Sequence, residues 1–294
     1  MSMTEWRGAS APVRVDLAGG WTDVGPYPSD FGGEVVNFAI NKRVRATIAR
    51  GKEPEDYDLS FETPRGSGLG TSSAMNVAIS GLLSDPGSVE NIEEIAEMAF
   101  DLESREGMIC GRQDHWASAR GGFNHLLFIG DSVEIIPFEP TRSAKMWLRK
   151  HLLIAYSGES RNSGEMQEKV WARYSQGDQS VIEGLHKIRS SARSMANGLQ
   201  QDRRDMVVGS LREVCEGVDL IDDSIHGPFR SVIEPLLAKG SVAAWKALGA
   251  GGGGCAGILC TPGSREEVHS SVEVAGWDVI EWDYEETGLE LSGE

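Results

Sequence analysis

The spacing of hydrophobic and polar positions changes character along the chain. Residues 11–17 are short, apolar-alternating and β-branched, which predicts a strand. From Glu34 to Arg50 the apolar positions Val35, Val36, Ile40, Val44 and Ile48 predict two paired strands. Residues 72–83 are small and apolar and open on hydroxyl caps, the pattern of a buried helix. Within 89–105, Ile92, Ile95, Ala96, Met98 and Ala99 fall near helical spacing. Residues 123–129 and 133–138 read as an antiparallel pair across Gly130-Asp131. The later chain is richer in helix: a strand at 151–156, then helices near 162–176, 179–199, 203–218 and 229–239. Strand-like runs at 244–248 and 255–260, a helix near 264–274 and a strand near 277–282 follow, and the acidic stretch 283–294 reads as a solvated tail. Strands early and helices late predict an α+β protein of two lobes, residues 1–150 and 151–294.

Composition narrows the class. At 294 residues the chain is long for one hydrophobic core, and 40% hydrophobic with 25% charged residues is globular rather than disordered composition. Forty-five acidic against 28 basic residues give a net charge of −17, which repels nucleic acid and anionic membranes, so neither is expected as a partner. The four cysteines lack zinc-ligand spacing and fit reduced thiols. Met1 to Arg7 has no signal-peptide apolar run, and no stretch approaches the roughly 20 apolar residues of a membrane span. These features predict a cytoplasmic protein.

Glycine clusters carry the candidate chemistry. Gly66-Ser67-Gly68-Leu69-Gly70-Thr71-Ser72-Ser73-Ala74 runs directly into a predicted helix, whose first N–H groups and dipole suit an anion. It is neither a Walker A loop nor a dinucleotide fingerprint, and a capped helix after a flexible loop is the plain alternative. Gly249-Ala250-Gly251-Gly252-Gly253-Gly254 satisfies G-x-G-x-x-G, but a strand-like run follows it instead of a helix, so a turn between strands is its plain reading. Ala18-Gly19-Gly20-Trp21-Thr22-Asp23, after the strand that carries Arg14, reads alone as a turn with a buried Trp and an exposed acid.

In this order the three regions resemble the motifs of the GHMP kinases, a family named for galacto-, homoserine, mevalonate and phosphomevalonate kinases. Residues 11–17 are similar to the first motif, 66–74 to the second and 249–254 to the third. Residues 14–23 resemble fucokinases, while Gly111-Arg112-Gln113-Asp114 and Gly121-Gly122-Phe123-Asn124 resemble the bacterial heptose-phosphate kinases. Ser157-Gly158-Glu159-Ser160-Arg161 is similar to a loop common to both. Galactokinases carry an acid and a His where this chain has Gly20 and Trp21, which argues against galactose.

The resemblance implies a two-lobed fold, with a mixed-sheet N-terminal lobe, a helix-rich α/β C-terminal lobe and the active site in the cleft between. It implies an ATP- and Mg²⁺-dependent kinase, monomer or homodimer, acting on the anomeric hydroxyl of a sugar or sugar phosphate. By the same resemblance Gly66, Gly68, Leu69, Gly70, Thr71, Ser72 and Ser73 would bind the ATP phosphates, and Ser72 with Glu103 would hold Mg²⁺. Asp114 would accept or orient the attacking hydroxyl's proton, and Arg14 would stabilise the nucleophile or the transferring phosphoryl group. Trp21, Thr22, Asp23, Gly251, Gly252 and Arg161 fall on the substrate side. Each has a plainer reading: a solvated helix acid for Glu103, a helix cap for Asp114, an ion pair across the sheet for Arg14, a core ring for Trp21, a surface group for Arg161. His115 reads as a packed or surface histidine. The segment between Ile48 and Gly66 is shorter than in relatives, which leaves adenine recognition open. A non-catalytic sensor on this fold and a GHMP kinase for a non-sugar alcohol are the alternatives.

Overall fold

In this computed structural model the described residues are 7–49, 52–53, 56–84, 91–105, 109–159 and 163–293. The first elements are β1 (Arg7–Ala18), α1 (Tyr27–Asp30), β2 (Gly33–Ile48), β3 (Tyr57–Phe61), α2 (Thr71–Leu83), α3 (Ile92–Arg105) and α4 (Gln113–Arg120). They continue with β4 (Phe123–Ile129), β5 (Ser132–Ile135), α5 (Arg142–His151), β6 (Leu152–Tyr156), α6 (Ser163–Ser175), α7 (Gln179–Gln200) and α8 (Arg204–Asp222). The last are α9 (Gly227–Lys239), β7 (Val242–Ala247), β8 (Cys255–Cys260), α10 (Arg265–Val274), β9 (Asp278–Val279) and β10 (Glu290–Gly293). The fold is mixed α/β, in two compact units, and neither unit is a single stretch of chain. One comprises Met1–Val15, Phe38–Phe123 and Trp282–Glu294; the other Asp16–Asn37 and Asn124–Glu281.

In the first unit β1 pairs antiparallel with β10, Arg7 opposite Gly293, and β2 pairs with β3, Val44 opposite Phe61. The two strands expected within residues 34–50 are one 16-residue strand. No glycine or proline interrupts that run, so nothing turns the chain back. The acidic end is not a solvated tail. Asn41 and Asp283 exchange hydrogen bonds, and the buried Arg43 guanidinium donates to the carbonyls of Thr287 (3.2 Å) and Gly288 (2.6 Å). Backbone bonding to a buried arginine outweighs the charge that made this stretch look solvated. α2 mixes small polar and apolar residues, and ten of its 13 residues are buried.

In the second unit a four-stranded antiparallel sheet has the order β7-β8-β6-β9, with Leu152 opposite Leu259 and Trp245 opposite Ile258. β4 and β5 form the expected hairpin, Leu126 opposite Ile135. α7 and α8 approach backbone to backbone: a Cβ on Gly184 would lie 2.6 Å from the Gly217 carbonyl oxygen. The strand expected at 277–282 is only two residues long. Among the described residues no helix is long and apolar enough to cross a membrane.

A buried ion pair ties β1 to β7 in this unit. Lys246 Nζ donates to Asp16 Oδ2 at 2.6 Å and to the Asp16 carbonyl at 3.0 Å, with both side chains under 5% exposed. Removing one partner leaves the other charge buried and uncompensated. Lys246→Met is therefore expected to cost about 3–5 kcal/mol in denaturant unfolding. Asp16→Asn added to Lys246→Met should recover part of the loss.

Candidate active site

In the first unit the glycine-rich loop leads into α2. Gly66, Gly68 and Gly70 all have positive φ (74°, 78° and 74°), a region that glycine enters without strain. Gly70 is the N-cap of α2, and no side chain caps the helix. The N-terminal amides of α2 therefore have no competing side-chain oxygen, a fit for an anion such as a phosphate. The loop's shape comes from beneath: Thr71 Oγ1 lies 3.0 Å from Thr63 Oγ1 and 3.1 Å from Ser67 Oγ, all buried. Leu69 is fully buried and anchors the loop apex, while Ser72 is exposed.

Arg14 meets this loop from β1. Its backbone N–H donates to the Leu69 carbonyl at 2.9 Å and its Nη1 to the Gly68 carbonyl at 2.8 Å. Nε and Nη2 make a bidentate pair with Asp114 Oδ1 and Oδ2, both at 2.7 Å. Such a fork fixes the plane of the carboxylate as well as its distance. Asp114 keeps 23% of its side chain exposed, and each carboxylate oxygen has a second lone pair for an incoming hydroxyl. A Cβ on Gly70 would come within 3.4 Å of both Arg14 Cγ and Asp114 Oδ2, so the loop passes directly over this pair. Asp114 sits in the first turn of α4, where Arg112 occupies the cap position, so it is not the helix cap.

Glu103, on α3, is buried and joined to both neighbouring helices. Ser73 Oγ donates to its Oε2 at 3.0 Å, and His115 Nε2 lies 2.6 Å from the same oxygen. Burial pushes this carboxyl up, but His115 and the hydroxyls of Ser72 and Ser73 outweigh it and hold the group at about 2. A carboxylate beside the exposed Ser72 hydroxyl is a hard oxygen donor set of the kind Mg²⁺ takes, so these residues fit such an ion. His115 is the residue that sequence reasoning undervalued. Its ring is fully buried and edge-on to Phe100, and only its place next to Asp114 hinted at a role.

In the second unit the turn after β1 is tightly built. A Cβ on Gly19 would lie 1.9 Å from the Glu34 carbonyl oxygen. The Thr22 hydroxyl donates to the Gly19 carbonyl (2.7 Å) and accepts from Glu34 N–H (3.1 Å), so it serves the turn. Trp21 has φ of 84°, uncommon for a bulky residue, and packs 6.4 Å from the Trp171 ring. Asp23 is buried, not exposed. Residues 249–254 join β7 to β8, the turn between strands. A Cβ on Gly251 would strike Ile225 Cγ2 at 2.2 Å, and Gly251 and Gly252 have φ of 75° and 73°, so local backbone and packing already call for glycine here. Arg161 lies outside the described residues. The structure thus brings Arg14, residues 66–73, Glu103 and Asp114 together in one unit, and Trp21, Thr22, Asp23, Gly251 and Gly252 all belong to the other.

Comparison with known proteins finds a matching family model, related sequences and a shared fold. A family described as GHMP kinases N terminal domain matches residues 37–122. The chain is 24% identical over 337 residues to a bifunctional fucokinase/GDP-fucose pyrophosphorylase of Arabidopsis thaliana, covering 91% of this chain and 32% of that one. It thus spans about a third of that relative's length. It is 23% identical to a D-glycero-alpha-D-manno-heptose 7-phosphate kinase of Campylobacter jejuni, covering 83% of this chain and 86% of that one. A mevalonate kinase of Pyrococcus abyssi is 27% identical over 74% of this chain and 63% of its own. The crystal structure of a D-glycero-D-manno-heptose 1-phosphate kinase from Bacteroides thetaiotaomicron superposes with a TM-score of 0.77 at 21% identity, covering 98% and 99% of the two chains, which shows a shared fold.

Glu103 gives this site a pH signature. Its folded-state value, about 2, lies below the 4.5 of a free glutamate, so its stabilisation is present above pH 4.5 and is lost as pH falls toward 2. Glu103→Gln should therefore be clearly less stable than wild type near about pH 6, with the gap narrower but still open near about pH 3. Urea unfolding at the two pH values checks this.

Proposed function

We propose that this chain, which belongs to the GHMP kinase superfamily, transfers the γ-phosphoryl group of ATP to the anomeric hydroxyl of a sugar or sugar phosphate. The general reaction, ATP-dependent phosphoryl transfer to an alcohol with Mg²⁺, comes with the superfamily. The observation that carries the reading is the bidentate Arg14–Asp114 pair set directly beneath Gly70, at the uncapped start of α2.

Phosphoryl transfer asks a protein for positioning and charge neutralisation more than for covalent chemistry. The backbone from Gly68 to Ser73 is the cradle for the phosphate groups. Ser72 and Glu103 would hold Mg²⁺, which supplies neutralising charge to the phosphates. Arg14 sets the direction of the Asp114 carboxylate, and its own guanidinium lies where transferring charge could be met. Asp114 accepts or orients the proton of the attacking hydroxyl. On the acceptor side the resemblance assigns Asp23 to paired sugar hydroxyls, Trp21 to an apolar sugar face and Thr22 beside them. Gly251, Gly252 and Arg161 remain assigned to that side by resemblance alone.

The choice of a sugar over a mevalonate-type alcohol rests on residues 14–23, which resemble fucokinases, and on Gly111 to Asp114, which resemble heptose-phosphate kinases. Curated relatives carrying the names fucokinase and heptose 7-phosphate kinase support it, and the mevalonate kinases among the relatives are the competing class.

ADP release from ATP-Mg²⁺ should be measured with L-fucose, related free pyranoses, heptose phosphates and mevalonate. Turnover on a sugar or sugar phosphate is expected; turnover on mevalonate alone overturns the sugar assignment. Nucleotide binding with no turnover on any acceptor points instead to a sensor. Asp114→Asn should lower kcat by about 10²–10⁴ while leaving ATP binding near wild type. An unchanged kcat would remove Asp114 from the chemistry.

A further inference from the structure

We propose that the C-terminal segment, residues 283–293, is a positioning element that fixes the angle between α2 and α4, with Gly288 and Leu289 as the positioning residues and Arg43 as their anchor. The inference rests on the reading of α2 and α4 as the helices that hold nucleotide and acid.

Both helices carry their chemistry at the N-terminal end, Ser72 and Ser73 on α2, Asp114 and His115 on α4. There they are joined through Glu103, which receives Ser73 from α2 and meets His115 from α4, and through Arg14, which holds the Gly68 carbonyl before α2 and the Asp114 carboxylate on α4. Both ties sit at the same end of the two helices, and two ties at one end set an angle less firmly than ties at both ends. The C-terminal segment supplies the second point. Leu289 N–H donates to the Ala119 carbonyl at 2.9 Å, near the end of α4. Its side chain covers Gly81, near the end of α2, so closely that a Cβ there would lie 2.6 Å from Leu289 Cδ2. Gly288 lies flat on α4: its own Cβ would be 1.9 Å from the Ala119 oxygen. At about 1.5 Å per residue these contacts stand roughly 13 Å along α2 from Ser72 and roughly 8 Å along α4 from Asp114. The two helices are thus pinned at both ends.

α4 needs the second pin most. It has eight residues, and isolated helices shorter than about 12 residues are marginal in water. Its direction is set by what it touches. The segment in turn is held by Arg43, which is 6% exposed and also donates to Ser10 Oγ and the Ser10 carbonyl. Glu285 (3.2 Å) and Glu290 (3.0 Å) flank its guanidinium. Five donors in one rigid fork suit a backbone clamp that a lysine could not reproduce. Gly122 N–H to the Glu285 carbonyl, at 2.8 Å, adds a further tie just past the end of α4.

The test uses Gly288→Ala, Leu289→Ala and the volume-keeping Leu289→Met in the full chain, below each variant's melting temperature. Gly288→Ala collides with backbone and must lift the segment; Leu289→Ala is milder and keeps the test open if Gly288→Ala does not fold. Two quantities are read: amide hydrogen exchange at residues 70–74 and 113–116, and affinity for a fluorescent ATP analogue with Mg²⁺. We expect faster exchange at both helix starts and roughly tenfold weaker nucleotide binding in the alanine variants, with Leu289→Met close to wild type. Folded alanine variants with wild-type exchange at 70–74 and 113–116 overturn the positioning role, since a merely covering segment would alter exchange only near residues 81 and 119–122. Wild-type protein that binds no ATP analogue would overturn the kinase reading, and the exchange data would still decide the role of the segment.

Discussion

A carboxylate buried among three helices has to be met by donors, because an unpaired charge away from water is too costly to keep. Glu103 is that carboxylate. Ser73 reaches it from α2 and His115 from α4, so the three helices come together only where both contacts can be made. The consequence reaches the next residue. Neighbours on a helix point about 100° apart, so His115 turned toward Glu103 turns Asp114 toward Arg14. Two partners in different directions then fix the rotation of a helix only eight residues long. The placement of the candidate acid follows from the need to satisfy a different acid one helix away.

Arg14 extends the same constraint to the glycine loop. It bonds two consecutive loop carbonyl positions, Gly68 through Nη1 and Leu69 through its backbone N–H, while its remaining nitrogens hold Asp114. Loop, acid and helix start therefore share one arginine. The other unit shows the opposite use of similar sequence. The Thr22 hydroxyl closes a turn, Gly251 makes room for Ile225, and Gly251 and Gly252 both take positive φ. Glycine-rich sequence there answers packing, whereas at 66–70 it leaves amides free of a side-chain cap.

Most long helices and the β4–β5 and β7–β8 hairpins were legible in the sequence because their periodicity is local: apolar spacing and turn residues act within a few positions. β3 alternates apolar and polar strictly over Tyr57–Phe61, but five residues beside a charged run are a weak signal on their own, and pairing with β2 is what makes them a strand. The two-strand reading of 34–50 failed because length without a turn residue is one strand. The acidic end was misjudged because charge predicts solvent exposure only when no distant group claims the backbone. Arg43 does so from more than two hundred residues away in sequence.

Local spacing and composition were enough to predict an α+β protein, its glycine motifs and the residue types from which a phosphate cradle and an acid could be built. Which of those groups meet depended on how the chain packs. The Arg14–Asp114 fork spans one hundred positions and the Ser73–Glu103 bond thirty, and no periodicity encodes such pairings. They arise because burying apolar helix faces forces particular polar side chains inside together, where each must find a partner, and that requirement is a property of the packed chain rather than of any stretch of it.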